Sequence, residues 1–494
     1  MIHRFFCLSP SLVLLLLLGF SVQAAETNGW DKSLVTIEVT FKDYDYFQPW
    51  NKPTRSIRKH GLVVGDREVL TTAQSLPSQT LVRLQKGGRG KWYTGKVTWM
   101  DPHVDLALVT TDDAAFWDGL KPVEFAEVVP SGPDFNLLRW RDGNLESRRV
   151  EFSKFSVGES ALSFAPRLNL EVNTELAGLG WAEAVTFDGK VVGLTESKSG
   201  NTCTVIPASL IRRVLAAHRA GNYRGLGYFD FTWQSGENPA TLEFLKLSGP
   251  PRGAVVIEVQ NRPGVPSVLK PRDILLEVDG FPVDVEGDYV DPDYGHLILE
   301  NLATRSRFAG DTVPLKIWRD GQEMTINYTL PAANYADELV PRQAFGHDPD
   351  YVVAGGLVFQ PLDQPFLRAW GDDWKRRSPF RLQFYQSEHP STNRPSLVML
   401  STVLPDPINL GYQDARFLVL DQVNGRRIST LTDLTAALKE PKEGLHRFEF
   451  MRGDSLQRIL LDAPSLDEAT RRVLERYGIP ASEHLTGPSG SGKS

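Results

Sequence analysis

Amide hydrolysis by a serine needs a hydroxyl to attack, an imidazole to carry its proton and a carboxylate to orient that imidazole. The sequence holds these residue types in scattered places: His60 beside Lys59, His103 two residues before Asp105 in "DPHVDLALV", Ser75 in "VLTTAQSL" and Ser160 in "VGESALS". On a strand, His103 and Asp105 would share one side of the sheet. His103 nevertheless reads as a loop-surface histidine, and His60 as a solvated one. No His or Cys cluster has the spacing of a metal site, so no metal or other cofactor is expected. The closing residues "GPSGSGKS" fit the phosphate-loop pattern Gly-x4-Gly-Lys-Ser. That loop works only where it joins a strand to a helix whose N-terminus holds the phosphates. With Ser494 as the last residue, the segment is expected to be a flexible polar tail, and nucleotide binding is set aside.

The elements that would position such groups are short strands. From Leu34 to Ile211 the chain alternates apolar runs with turn residues: "LVTIEVTF", "GLVVGDREVLTTA", "TLVRLQ", "YTGKVTWM", "DLALVTT", "NLEVN" and "DGKVVGLTES". Such spacing predicts a barrel or sandwich. A helix over "PASLIRRVLAAHRAG" comes next, with Leu210, Ile211, Val214 and Leu215 at helical spacing and Gly221 as its stop. A second unit runs from 222 to 333, with a helix expected around "GHLILENLATRS". A third, 344–463, repeats its grammar: "ARFLVLDQVNGRRISTLTDLTAAL" parallels "RDILLEVDGFPV" and the helix after it. A helix in "SLDEATRRVLERYG" and a polar tail complete 464–494. At 494 residues the chain is too long for one core.

Residues 61 to 109 resemble the first barrel of the HtrA (Deg) family of secreted proteases. "GLVVGDREVLTTAQSL" is similar to the strands leading to that family's Thr-Asn-Ala-His, with Gln74 where the histidine belongs, and "DPHVDLALV" is similar to its Asp-Pro-x-x-Asp-Leu-Ala-Leu, placing Asp105 as the triad aspartate. Counting back from "DGKVVGL" gives "GLGWAEAV", with Gly180 at the serine position and Trp181 crowding the turn that would expose N–H groups to an oxyanion. Ser160 lies too far before that strand to replace the nucleophile. A carboxamide takes no proton near neutral pH, and glycine offers no nucleophile. The resemblance therefore implies a mainly β chain, a trypsin-like double β-barrel over 25–221 followed by two PDZ-like α+β domains, with a degenerate triad. "YRGLGYFDF" resembles the carboxylate-binding loop of PDZ domains: Gly225, Leu226, Gly227 and Tyr228 would hold a peptide terminus, Arg224 adding charge and Tyr228 facing the pocket for the last side chain. "LKPRDILLEVDGFPV" strengthens that likeness, although Arg272 replaces a usual glycine. The third unit shows no Gly-Leu-Gly loop before its strands. The family's trimers imply contacts from "NGWDKSLVTIEV" and the aromatics between Tyr44 and Trp50.

Residues 1–24 follow secretory grammar, with Arg4, the apolar run "LVLLLLLGF" and cleavage expected after Ala24. The run is too short to span a bilayer, so export to the periplasm or beyond is expected, without a membrane span after cleavage. Removing Arg4 moves the net charge from −7 to −8, which gives no basic face for nucleic acid. Cys203 then remains as the sole thiol, so packing without a disulfide must hold the mature chain. The leading functional expectation is a proteolytically inactive HtrA-like binder of peptide termini or unfolded polypeptide, acting as chaperone, adaptor or regulator. The alternative is an active serine endopeptidase with a rearranged site.

Overall fold

A strand with one apolar face must bury it, and a sheet curled onto itself does so while leaving no open edge. The first six strands take this course. In the computed structural model, which describes residues 29–260, 267–343, 348–371, 373–453 and 456–486, β1 (Leu34–Lys42), β2 (Thr54–Gly65), β3 (Glu68–Thr71), β4 (Gln79–Lys86), β5 (Tyr93–Asp101) and β6 (Leu106–Thr110) close in the order β1-β2-β3-β6-β5-β4. Val35, Ile37, Val39, Val69 and Val109 fill this barrel and are fully buried. The expected leader and the glycine-rich tail lie outside the described residues, as does position 344, where the third unit was expected to start.

A short helix, α1 (Ala114–Trp117), capped by the Asp113 side chain, leads to a second closed barrel. Its strands β7 (Phe135–Arg141), β8 (Asn144–Gly158), β9 (Arg167–Asn173), β10 (Ala184–Phe187), β11 (Lys190–Ser199) and β12 (Thr202–Pro207) run in the order β10-β11-β12-β9-β8-β7. Helix α2 (Ala208–Arg219) buries Leu210, Ile211, Val214 and Leu215 as its periodicity requires. Cys203 is buried in β12, where burial pushes its thiol up to about 12.

The second unit is a sheet ordered β13-β14-β15-β19-β20, built from β13 (Phe231–Gln234), β14 (Ala254–Val259), β15 (Ile274–Val278), β19 (Thr312–Arg319) and β20 (Gln322–Thr329), with α3 (Pro239–Phe244) beside it. β16 (Phe281–Pro282) pairs with β15. The helix expected around "GHLILENLATRS" does not form. Instead β17 (Asp288–Asp291) and β18 (Gly295–Ile298) make a hairpin, and only Leu299–Ala303 coils, as a 3-10 turn. Two local features decide this: Gly295 sits at φ +78, which closes the hairpin, and Leu297 and Leu299 are buried at a spacing of two, the period of a strand.

The third unit's sheet runs β27-β26-β24-β23-β22-β21-β28. Its members are β21 (Tyr351–Ala354), β22 (Leu357–Pro361), β23 (Val398–Val403), β24 (Leu418–Val423), β26 (Leu445–Phe450), β27 (Arg458–Asp462) and β28 (Glu483–His484), with β25 (Arg426–Arg427) paired to β24. Between β22 and β23 come α4 (Gln364–Arg368), α5 (Trp374–Arg377) and α6 (Phe380–Phe384); α7 (Leu431–Ala437) and α8 (Leu466–Tyr477) complete it. Helix α8, expected to stand apart from the third unit, packs into it: Val473 joins Tyr351, Val353 and Val358 in one cluster, and β28 pairs with β21.

The aromatics between Tyr44 and Trp50, expected at contacts between copies, are engaged within the chain. Phe47 meets Phe366 at 5.7 Å and Trp370 at 4.9 Å between ring centres, and Trp50 meets Tyr351 at 5.8 Å. Gln360 Nε2 donates to Tyr46 O at 3.1 Å, and Lys52 pairs with Asp348. The β1–β2 loop thus clamps the third unit to the first barrel. Among the described residues no helix is long and apolar enough to cross a membrane.

Candidate functional site: the sealed cleft between the barrels

Gln74 and Asp105 come together as the spacing requires. The turn after β3 delivers Gln74, whose N–H donates to Asp105 Oδ1 at 3.1 Å. Asp105 sits at φ +56 in the turn before β6 and is 2% exposed. Burial, then the nearby Glu196 carboxylate, raises its pKa to about 7 against the opposing pull of Lys59 and Arg167. The Gln74 Oε1 atom is buried and has no hydrogen-bond partner. Among the described residues no imidazole reaches this carboxylate, and the buried cation it feels most strongly is Lys59.

Lys59, fully buried on β2, fixes that turn from below. Its ammonium donates to Thr72 O at 2.6 Å, Thr72 Oγ1 at 2.7 Å and Gln74 O at 3.0 Å. Burial lowers its pKa to about 8, while Asp105 and Glu183 act to raise it. His60, expected to be solvated, is 8% exposed: its N–H donates to Trp181 O at 2.8 Å, and its Nε2 lies 3.1 Å from Trp140 N and 3.2 Å from Trp140 O. β2 turns this residue toward the second barrel, which explains the difference.

Gly180 closes the site from the second barrel. It adopts φ +98, and a Cβ added there would lie 2.8 Å from Ser197 Cα and 3.2 Å from Glu196 O, both backbone atoms. A side chain at this position collides with β11. The neighbouring N–H groups are also taken: Glu183 Oε2 accepts from Gly180 N at 3.0 Å and from Trp181 N at 2.9 Å, and Thr195 Oγ1 donates to the same carboxylate. The Glu183 carboxyl therefore occupies N–H donors that could otherwise meet a developing oxyanion. Behind it, Arg167 and Glu196 form a buried ion pair at 2.9 Å, and Arg167 Nη1 donates to Asn169 Oδ1 at 2.5 Å.

One hydroxyl does meet an imidazole. His103 Nδ1 lies 3.0 Å from Ser163 Oγ. His103 does lie in a turn, but half-buried rather than on the surface: its ring stacks on Tyr335 at 4.3 Å and meets the edge of Phe164 at 5.6 Å, and burial lowers its pKa. Ser163 is 1% exposed and also accepts from Ala165 N, while Asp101 binds the His103 backbone N–H rather than its ring. The pair is boxed in by aromatics and lacks an orienting carboxylate on the ring. Ser160 is 8% exposed and caps the local turn through Leu162 N; Ser75 sits at φ +66 beside Gln74.

Arg224, Gly225, Leu226, Gly227 and Tyr228 share one loop, turned inward. Tyr228 N donates to Pro331 O at 3.3 Å, and Leu226 O accepts from Ala333 N at 3.0 Å, so residues 331–333 already run along the loop. A Cβ at Gly227 would lie 2.9 Å from Leu330 Cβ, so its small size serves that close approach. The Tyr228 ring meets Phe164 at 5.1 Å and is buried rather than facing a pocket, and Arg224 pairs with Asp311. Sequence reasoning missed Lys59, Arg167, Glu183 and Glu196. Their one signal is a charged residue on the inward side of a predicted strand. Among the described residues no group of three or more His, Cys, Asp or Glu side chains could hold a metal.

The raised Asp105 pKa gives a signed expectation. The folded state binds this proton more tightly than the unfolded state, so its contribution to stability is lost as pH rises from about 4 through about 7. Denaturant titrations of wild type and Asp105→Asn at pH 5 and pH 7.5 should show wild type losing stability relative to the variant across that interval. A constant difference would contradict it.

Comparison with known proteins agrees with this architecture. The profile of the PDZ domain matches residues 340–484, taking in α8 and β28. The chain is 25% identical to "Putative protease Do-like 3, mitochondrial" of Arabidopsis thaliana over 88% of its own length and 76% of the relative's. It is 24% identical to "Putative protease Do-like 13" of the same plant, covering 93% of this chain and 90% of that one. A solved structure titled "HtrA-type protease AlgW with decapeptide" aligns with 62% of this chain and 96% of its own, at a TM-score of 0.45 and 15% identity. With two closed six-stranded barrels, a PDZ-matched third unit and relatives of this kind along nearly its whole length, the chain is similar to the HtrA (Deg) proteases.

Proposed function

We propose that this HtrA-like chain holds polypeptide without cutting it, as an exported chaperone, adaptor or regulator whose triad positions are Gln74, Asp105 and Gly180. The observation that carries the reading is Glu183, whose carboxylate accepts the N–H groups of Gly180 and Trp181. N–H groups already bonded to an internal acceptor are not free to stabilise an oxyanion. The side-chain chemistry agrees, since Gln74 cannot act as a base and Gly180 has no nucleophile. Polypeptide binding falls to the PDZ units. The loop from Gly225 to Tyr228 would have to release residues 331–333 before taking a peptide terminus. Export rests on the leader-like residues 1–24. Incubation with reduced, unfolded casein should give a complex that co-elutes on gel filtration with the casein intact; casein fragments, or no co-elution, would contradict the proposal. A second reading, a relocated serine peptidase, rests on the 3.0 Å contact between Ser163 and His103.

A further inference from the structure

The third unit contains a cavity of about 620 Å³ between β21, the end of α7 and the start of α8. Val352, Ala354, Leu438 and Leu466 supply apolar wall, and His446, 3% exposed, lines it as well. The proton on that imidazole can be located. Asn424 Oδ1 accepts from Arg447 N at 2.9 Å and its Nδ2 donates to Ala437 O at 2.8 Å, so two backbone partners fix the amide orientation. It is therefore an N–H of Asn424 that faces His446 Nδ1 at 3.2 Å. Nδ1 must accept, the proton resides on Nε2, and among the described residues Nε2–H has no hydrogen-bond partner. Burial favours this neutral form.

A cavity with apolar walls and one unused donor selects a ligand with an apolar group beside an acceptor. The charges at its rim choose between acceptors. Asp467 and Glu483 outnumber Lys439, and Asp467 is close enough to act on His446. A free carboxylate is repelled there, whereas a neutral carbonyl next to a basic side chain is favoured. The neighbouring edge of β21 already takes an extended segment, β28, with Val353 N donating to Ser482 O at 2.7 Å.

We propose that this cavity binds an internal stretch of polypeptide in which an apolar residue is followed by a basic one, the backbone carbonyl meeting His446 Nε2–H and the basic group meeting Asp467 and Glu483. This names the ligand class for the binding reading above and rests on it. The test is fluorescence anisotropy on the full chain with three short labelled peptides: one capped at both ends and carrying leucine then lysine, the same with glutamate for lysine, and the lysine peptide with a free terminal carboxylate. The capped lysine peptide should bind tightest, the glutamate peptide about tenfold weaker or worse. Asp467→Lys, at an exposed rim position, should reverse that preference. His446→Phe should weaken the lysine peptide about tenfold, the loss of one hydrogen bond. No discrimination between the peptides, no reversal in Asp467→Lys, or tightest binding by the free carboxylate would overturn the proposal. If casein is still held intact in that event, the binding reading survives alone; fragmentation of the peptides would count against the reading on which this one rests.

Discussion

Restoring the two missing groups, Gln74→His with Gly180→Ser, yields no measurable peptidase activity. Loss of base or nucleophile alone costs a serine protease about a millionfold in turnover, so a cleft that had merely lost side chains would regain orders of magnitude from their return. Here β11 and the Glu183 carboxyl occupy the space and the donors that the new groups would need. At 180 the new Cβ meets Ser197 Cα at 2.8 Å, in a backbone conformation of φ +98 that disfavours any side chain. Either β11 moves or the loop does. The N–H groups an oxyanion would need remain on Glu183. An imidazole at 74 would also enter a turn that Lys59 braces through Gln74 O. Casein hydrolysis by the double variant, followed over hours beside an active serine protease, measures this; turnover within a thousandfold of that enzyme would show that the cleft is still shaped for chemistry.

Glu196→Leu should cost about 3–5 kcal/mol of folding stability, because it leaves the Arg167 guanidinium charged and fully buried without its partner. Replacing both residues, Arg167→Met with Glu196→Leu, removes the charges together and should recover most of that loss. The exposed pair Arg55 and Asp43 provides the contrast: Asp43→Ala should change stability by about 0–1 kcal/mol. Denaturant unfolding of the four proteins checks the set. A small loss in Glu196→Leu, or a double variant worse than the single, would mean that the pair does not act as a compensated buried charge.

Much of the fold was legible because it rests on periods of two and on turn residues. Strands β1 to β6, β9 and β11 and the helix around Leu210 and Val214 follow from local apolar spacing, whereas β7, β8, β10 and β12 were not singled out and the double barrel and PDZ-like units came from the resemblance. The segment from Gly295 to Ala303 was misread because closely spaced apolar residues in a short stretch suit a helix or a strand, and Gly295 decides the matter. Gln74 and Gly180 were legible as absences. The groups that fill the space were not. Lys59, Arg167, Glu183 and Glu196 come from four separate strands or loops, Lys59 from the other barrel, and a lone charged residue on a strand normally faces water. His60 was misplaced for the same reason: only the closure of the second barrel against β2 shows that it is covered. The inward turn of the Gly225 to Tyr228 loop depends on residues about a hundred positions later, 331–333, which no local motif foretells.

The central claim is that the space between the barrels is closed to acyl chemistry. The most direct measurement is the intact mass of the purified chain after incubation with a fluorophosphonate, which forms a stable adduct with an activated serine. A closed cleft predicts an unmodified mass. A single adduct, mapped to Ser163, Ser160 or Ser75 and prevented by His103→Ala, would contradict it.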